Sequence, residues 1–566
     1  MVARYVAGGT GTGGRLHRLS PSRSNCRPCA RRASPAAVIT LLTIRNQGVT
    51  LPGSAASSLR YREVTMGTIK HGLAAVALAA SIAAGAAAQA KELVVAIETD
   101  IRGFEAIQGR VLGIAASTVM NAVADRLIQR DANGDIEPQL ATAWEASADG
   151  KTYTYTLRKG VKFHNGDDFT ARDVAEHWNR LLDPANKYFG RLFFSPIQKV
   201  VADGDHTVTF QLAHPWIPME RLHAGVNFGT YVPSSRAVAE ETMMREPVGT
   251  GAFMLSEWRS GDRLIVDRNP NYWDKDKISL DRVVFRIIPD QATRYAALQA
   301  GEVDMIWTDR GDTILKAKEE GETIVHERVG QGAIINFMNT ARPPFDNVDA
   351  RRAVQHAWDQ GVYLKVSFKD TVPAVEHPLG ASSTCDAGYR GPDRDKAKAF
   401  AAKYEAAAGK PIAFEMIHTS TQRGRESGEI MQQLNKRAGI TVNLQPVDQL
   451  QLRQKVFTNN YDMSGWRIAD AQDVGPQLFA LLHSKSPYNL TKYNNPAMDD
   501  LLVKMRTAAT GEARAEAMCN VVRLMNDEVP IQYRGGRKHY TIVGADIDGL
   551  RPLYQGVPDV RYITKN

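Results

Sequence analysis

An α/β protein with more than one hydrophobic core is what this chain predicts, and three observations predict it. Strand and helix patterns alternate along the sequence instead of segregating into halves. One stretch of the second half spells out a full β-α-β unit. The roughly 476 residues after position 90 are too many for one core and call for two or three domains.

The β-α-β unit is the clearest. Ile412-AFEMIHT alternates as a strand, and Glu426 to Ala438 carries Ile430, Met431 and Leu434 on one helical face. Gly439 ends that helix as a left-handed cap, and Ile440-TVNLQPV is the next strand. This order predicts parallel strands joined by a right-handed crossover. Just upstream, Asp395 to Ala408 reads as an Ala-rich helix stopped by Gly409-Lys410-Pro411. In the first half, Ala292 to Ala300 is a helix closed by Gly301, and Val303 to Trp307 is a strand.

The stretch 137–174, EPQLATAWEASADGKTYTYTLRKGVKFHNGDDFTARDV, reads as a hairpin and a helix start. Ala148-Asp149-Gly150 turns the chain between Trp144 and a run in which Tyr153, Tyr155 and Leu157 alternate with threonines. Asn165-Gly166 is a tight-turn pair because both residues tolerate positive φ. Thr170, with Asp173 three residues on, is an N-cap ahead of a helix through Trp178 and Leu181. Tyr153, Tyr155 and Trp178 are expected in the core of a small domain.

The N-terminal end belongs to no fold. Residues 66–90, MGTIKHGLAAVALAASIAAGAAAQA, have the basic start, apolar run and small-x-small ending of a secretory signal peptide, with cleavage expected after Ala90. A membrane anchor is the alternative, but the run is mostly Ala and Gly, and no Cys lies near the cleavage site to carry a lipid. Upstream, residues 1–65 hold ten Arg against the single acid Glu63. A basic arm is one reading. The favoured expectation is that Met66 is the native start, because a signal peptide works at a chain's N-terminus.

Charge divides the same way. Residues 1–90 carry eleven of the 70 Lys/Arg and one of the 62 Asp/Glu, leaving 59 against 61 for the exported part. A near-neutral mature chain gives no electrostatic reason to bind nucleic acid or an anionic membrane.

Catalytic motifs are missing. The sequence has no His-Glu-x-x-His and no Gly-x-Ser-x-Gly, and His164, His177, His206 and His214 are scattered. Gly150-Lys151-Thr152 ends like a phosphate loop, yet Glu145 stands where its first Gly must be. No catalytic residue, metal site or cofactor is expected. Cys26-x-x-Cys29 lacks a second pair at zinc spacing. Cys385 and Cys519 are the two cysteines of the exported part, and they either pair or stay as isolated buried thiols.

As a pattern, 137–174 resembles the signature of the extracytoplasmic solute-binding proteins of family 5, the peptide/nickel class. The resemblance continues in order through EPVGTGAFMLSEWR (246–259), RNPNYWD (268–274), VVFRIIPDQATRYAALQAGEVDMIW (283–307), NTARPPFDNVDARRAVQHAWDQ (339–360) and PIQYRGG (530–536). It implies a two-lobed periplasmic-binding-protein (flytrap) fold with an extra small domain inserted in lobe one. Carried onto this chain, 91–135, 231–338 and 530–566 form lobe one, 136–230 the extra domain and 339–529 lobe two. The hinge then lies near Asn336–Thr340 and Pro530–Tyr533. The implied function is capture of short peptides or a similar solute in the periplasm for an ABC permease and its separate ATPase subunit. A monomer is expected, without enzymatic activity. A nickel chelate, an oligosaccharide or an opine are the alternative ligands.

The best site candidate is DMSGWRIADAQDVGPQLF (462–479), with Trp466, Arg467, Asp470 and Asp473 close together. In peptide-binding members an Asp shortly after Gly-Trp pairs with the peptide's ammonium. Here Asp470 is one residue further on than in those members, and Asp473 is its substitute. Arg467 suits a ligand carboxylate, or Asp470 itself; the plain alternative is a solvated surface loop. Phe104 and Gln108–Arg110, in a loop after the first strand, and Trp307 with Asp309, at a strand end, are further candidates.

Overall fold

The computed structural model describes residues 90–109, 113–226, 229–329, 331–380, 383–468, 473–554 and 556–566, all in one compact unit that begins at Ala86. The expectations for 1–65 and for the signal region up to Gln89 lie outside the described residues.

Three sheets organise this unit. A seven-stranded sheet runs, in spatial order, Thr323–Val329, Lys538–Val543, Met305–Thr308, Glu92–Ile97, Arg282–Ile287, Arg263–Arg268 and Phe253–Arg259. Its middle strands Glu92–Ile97, Arg282–Ile287 and Met305–Thr308 are parallel, so their carboxyl ends share one edge. A five-stranded sheet runs Thr441–Val447, Ala413–Thr419, Met463–Ile468, Ala333–Met338 and Ile531–Gly535. Its first three strands are parallel, and their carboxyl ends meet the start of Ala333–Met338, where Ala333 pairs with Ile468. The third sheet is antiparallel and four-stranded, built from Ala141–Ala146, Thr152–Leu157, Thr207–Leu212 and Ile197–Ala202.

Local chemistry explains why these residues form these elements. In the four-stranded sheet Tyr153, Tyr155 and Leu157 alternate inward and pack with Trp178 in one core cluster. Helix Ala171–Leu182 starts where the Asp173 carboxylate accepts the Thr170 N–H at 3.0 Å, satisfying a backbone donor at the helix start. The β-α-β unit pairs Ala413 with Thr441 in parallel register. Its helix spans Gln422–Lys436, starting four residues before the expected Glu426, because Thr421 caps it by accepting the Gly424 N–H at 3.2 Å. Gly439 follows at φ 79, a conformation with little steric penalty only for glycine.

The chain crosses between the two larger sheets twice, from Val329 to Ala333 and from Gly535 to Lys538. The expected hinge positions sit inside the five-stranded ladder instead: Asn336 pairs with Gln532, and its Nδ2 donates to the Gln532 Oε1 at 2.9 Å. Both segments go on pairing past the expected boundary, which moves the crossings toward the seven-stranded sheet.

Cys385 and Cys519 are joined in a disulfide with Cα atoms 5.6 Å apart. It ties the irregular stretch after helix Gln360–Phe368 to helix Gly511–Glu528 and closes a loop with a sequence separation of 134. Replacing both cysteines by serine is expected to cost about 2–4 kcal/mol, chiefly by freeing the unfolded chain. Urea unfolding of oxidised wild type against the double variant measures it; equal midpoints refute a stabilising bond.

Candidate functional site

In open α/β sheets, ligands bind outside the carboxyl ends of parallel strands. Here two such edges belong to the two lobes. The seven-stranded side presents Glu98 after strand Glu92–Ile97 and Asp309 after strand Met305–Thr308. The five-stranded side presents Arg467 near the end of strand Met463–Ile468 and Arg423 in the first turn of helix Gln422–Lys436.

Electrostatics brings these four groups together. Burial pushes the half-buried Glu98 carboxyl above the ordinary glutamate value, against the pull of its own backbone N–H, Arg294 and Arg467. Burial lowers the Arg467 guanidinium, while Asp309 and Glu98 raise it and Arg453 and Arg423 lower it further. Arg467 is nonetheless exposed by surface area, so a solute in the crevice can reach its guanidinium. Neither Glu98 nor Arg467 has an ion-pair partner within 4 Å among the described residues. Arg423 grips Asp309 across the crevice through two contacts, Nη1–Oδ2 and Nη2–Oδ1, each 2.9 Å. Burial alone would raise the Asp309 carboxyl, but the Arg423 guanidinium holds it well below the usual carboxylate range.

The other candidates fall in different places. Trp466 is half-buried, stacked on Phe337 with centroids 5.6 Å apart and edge-on to Phe457 at 6.3 Å. From there an aromatic chain continues through Tyr488 to Phe189 of the small domain, with centroid steps of 5.6 and 5.2 Å. Trp307 is also half-buried, beside the His539 ring at 5.5 Å, and its buried indole N–H has no partner among the described residues. Asp473 is not free to hold a ligand. It is buried, its carboxylate takes Arg514 Nη2 at 2.6 Å and the Gly475 N–H at 2.8 Å, and it serves lobe two from within. Phe104 is buried as well, edge-on to Trp258 at 5.6 Å. It lines a cavity with Glu105, His177, Arg180 and Tyr231, and among the described residues none of the five-stranded lobe lines it. Gln108 is exposed, while Asp470 and Arg110 lie outside the described residues.

Sequence reading missed Glu98 and Arg423, and each leaves a faint signal. An acid directly after the buried strand ELVVAI stands at a carboxyl edge. A cation in a first helical turn opposes the helix dipole, so it wants an anionic partner. Among the described residues no cluster of His, Cys, Asp or Glu is placed to hold a metal ion, and no helix is long and apolar enough to cross a membrane.

Comparison with known proteins bears on the fold. Residues 135–489 match the model of the bacterial extracellular solute-binding proteins, family 5 middle region. Heme-binding protein A of Haemophilus influenzae is 28% identical over 458 residues, covering 74% of this chain and 82% of that one. The oligopeptide-binding protein OppA of Bacillus subtilis is 25% identical over 461 residues, covering 74% and 84%. Among solved structures, the binding protein AgaA from A. tumefaciens R10, in complex with agropinic acid, superposes with a TM-score of 0.74 at 23% identity, covering 84% of this chain and 99% of that one. The chain thus shares its two-lobed fold with a solved binding protein, and it belongs to family 5 of the bacterial extracellular solute-binding proteins.

Proposed function

We propose that this protein is the periplasmic binding component of an ABC importer, capturing a short peptide or similar zwitterionic solute in the crevice and presenting it to a membrane permease. Its role is capture and delivery, and ATP hydrolysis belongs to a separate subunit. The observation that carries the reading is a pair of opposite charges with no ion-pair partner within 4 Å among the described residues, Arg467 on one lobe and Glu98 on the other. A guanidinium fork suits a carboxylate, and an unpaired carboxylate suits an ammonium. Asp470, three residues after Arg467, is a second acid for the ammonium end. Trp466 and Trp307 supply apolar walls for the rest of the solute.

The test has two steps. Mass spectrometry of small molecules released by denaturing freshly purified protein identifies the solute, which is expected to carry both a carboxylate and an amine. Calorimetry with that solute then compares wild type with Arg467→Gln, Glu98→Gln and Asp470→Asn. Removing the partner of a desolvated ligand charge costs about 2–5 kcal/mol, so Arg467→Gln is expected to weaken binding by one to three decades or more. Unchanged affinity in all three variants, or a released solute without charge, refutes the zwitterion reading.

A further inference from the structure

The Asp309–Arg423 pair joins residues of different lobes, and its surroundings make it more than a surface contact. Both side chains are 29% exposed, and the double contact is the strong, directional form of a guanidinium–carboxylate bond. The Arg423 guanidinium also lies 5.0 Å from the centroid of the Phe368 ring, at the end of lobe-two helix Gln360–Phe368. Against that same corner packs Gly311, the first residue of lobe-one helix Gly311–Glu319. A Cβ there would come within 2.1 Å of the Phe368 carbonyl oxygen, so no other residue fits without the lobes moving apart. Beside it, Lys369 Nζ stands 3.8 Å from Asp312. Residues 309–312 of one lobe thus meet 368–369 and 423 of the other at a single corner.

The charges around this corner show what Asp309 does there. Arg310 of its own lobe and Arg423 and Arg467 of the other lobe all act on it or on one another. Without the Asp309 carboxylate, these cations repel across the crevice, with the half-buried Glu98 as the remaining acid among the groups acting on Arg467.

We propose that Asp309 and Arg423 form a latch that holds the two lobes together and sets the balance between open and shut forms before any solute binds. The two short chain crossings let the lobes swing, and the latch is what a swing must break. Opening rehydrates both ions and uncovers Phe368; shutting restores the fork and the stack. Because the pair is partly buried, moderate salt weakens it less than an exposed pair. The proposal does not depend on which solute the crevice takes.

The experiment uses the whole protein without solute. Small-angle scattering reports the radius of gyration, and hydrogen exchange reports the backbone amides of Gly311–Glu319. Asp309→Asn keeps the shape and removes the charge; Arg423→Gln removes the cation; Arg423→Lys keeps the cation and loses the fork. Each is expected to shift the open-to-shut ratio about tenfold or more toward open, the equivalent of about 1.4 kcal/mol per decade. That shift reads as a larger radius and faster exchange. The double variant Asp309→Asn/Arg423→Gln is expected to be no more open than either single one, as two members of one interaction must be. Wild-type radius and exchange in both Asp309→Asn and Arg423→Lys overturn the latch, and so does simple addition of the two effects in the double variant.

Discussion

Replacing Arg561 by alanine is expected to cost about 3–5 kcal/mol of stability, a large share of the 5–15 kcal/mol that typically holds a domain folded. Arg561 is fully buried and binds four acceptors. Its Nη1 meets Asp125 Oδ1 at 3.1 Å, its Nε and Nη2 meet the two Asp559 oxygens at 2.8 and 2.7 Å, and Nη2 also reaches Gln129 Oε1 at 2.7 Å. Asp125 further accepts from Trp273 Nε1 at 3.0 Å, and Asn121 bridges Asp559 to Arg126. Two carboxylates and two guanidiniums thus balance in a site without solvent, where the C-terminal tail returns to residues 121–129. Alanine leaves Asp125 and Asp559 buried without the guanidinium that bonds both, while Asn121 still bridges Asp559 to Arg126. Lysine does not rescue, because one ammonium cannot span both carboxylates. The comparison is Arg551→Ala, which breaks an exposed pair with Glu137 and is expected to cost less than about 1 kcal/mol. Urea unfolding decides: similar small losses in both variants mean the buried cluster does not hold the tail.

How much of this was legible in the sequence depends on how far apart the partners lie. The β-α-β unit at 412–447, the Thr170 cap and the inward tyrosines are local patterns, fixed by neighbours within a turn or a strand. They could be read directly. The crossings between sheets could not, because whether Asn336 keeps pairing depends on Gln532, 196 positions away. The same holds for charge. Asp473 looked free in a polar run, yet Arg514, 41 positions on, takes it. Asp309 stood out at a strand end, but its partner Arg423 is 114 positions away, and Asp125 finds Arg561 at a separation of 436. A sequence shows that an ionisable residue is present; only the fold shows whether its charge is already spent. Arg467 and Glu98 matter because neither has an ion-pair partner within 4 Å among the described residues.

Acid is expected to weaken the small domain steeply, by about 2 kcal/mol for each of its histidines His223, His177 and His164 on going down to pH 5. His223 is buried against Trp178 and Phe210, both at 4.5 Å between centroids, and neither ring nitrogen has a hydrogen-bond partner among the described residues. Burial pushes its pKa down to about 3. Burial likewise takes His177 down to about 4, although its Nε2 contacts the Gly229 carbonyl oxygen at 2.7 Å. The sign follows from proton counting. Below the ordinary histidine value of 6.5 the unfolded chain takes up protons that the folded domain refuses, so stability is full above 6.5 and falls as pH drops toward the folded values. Each pH unit in that window removes about 1.4 kcal/mol per histidine, hence about 2 kcal/mol each down to pH 5. His223→Phe keeps an aromatic ring in the stack and removes the proton site. It is expected to be more stable than wild type at pH 7, because two unsatisfied nitrogens leave the core, and to lose about 2 kcal/mol less on going to pH 5. Urea midpoints at pH 7 and pH 5 give both numbers. Equal acid losses in variant and wild type would show that His223 is not what makes this domain acid-sensitive.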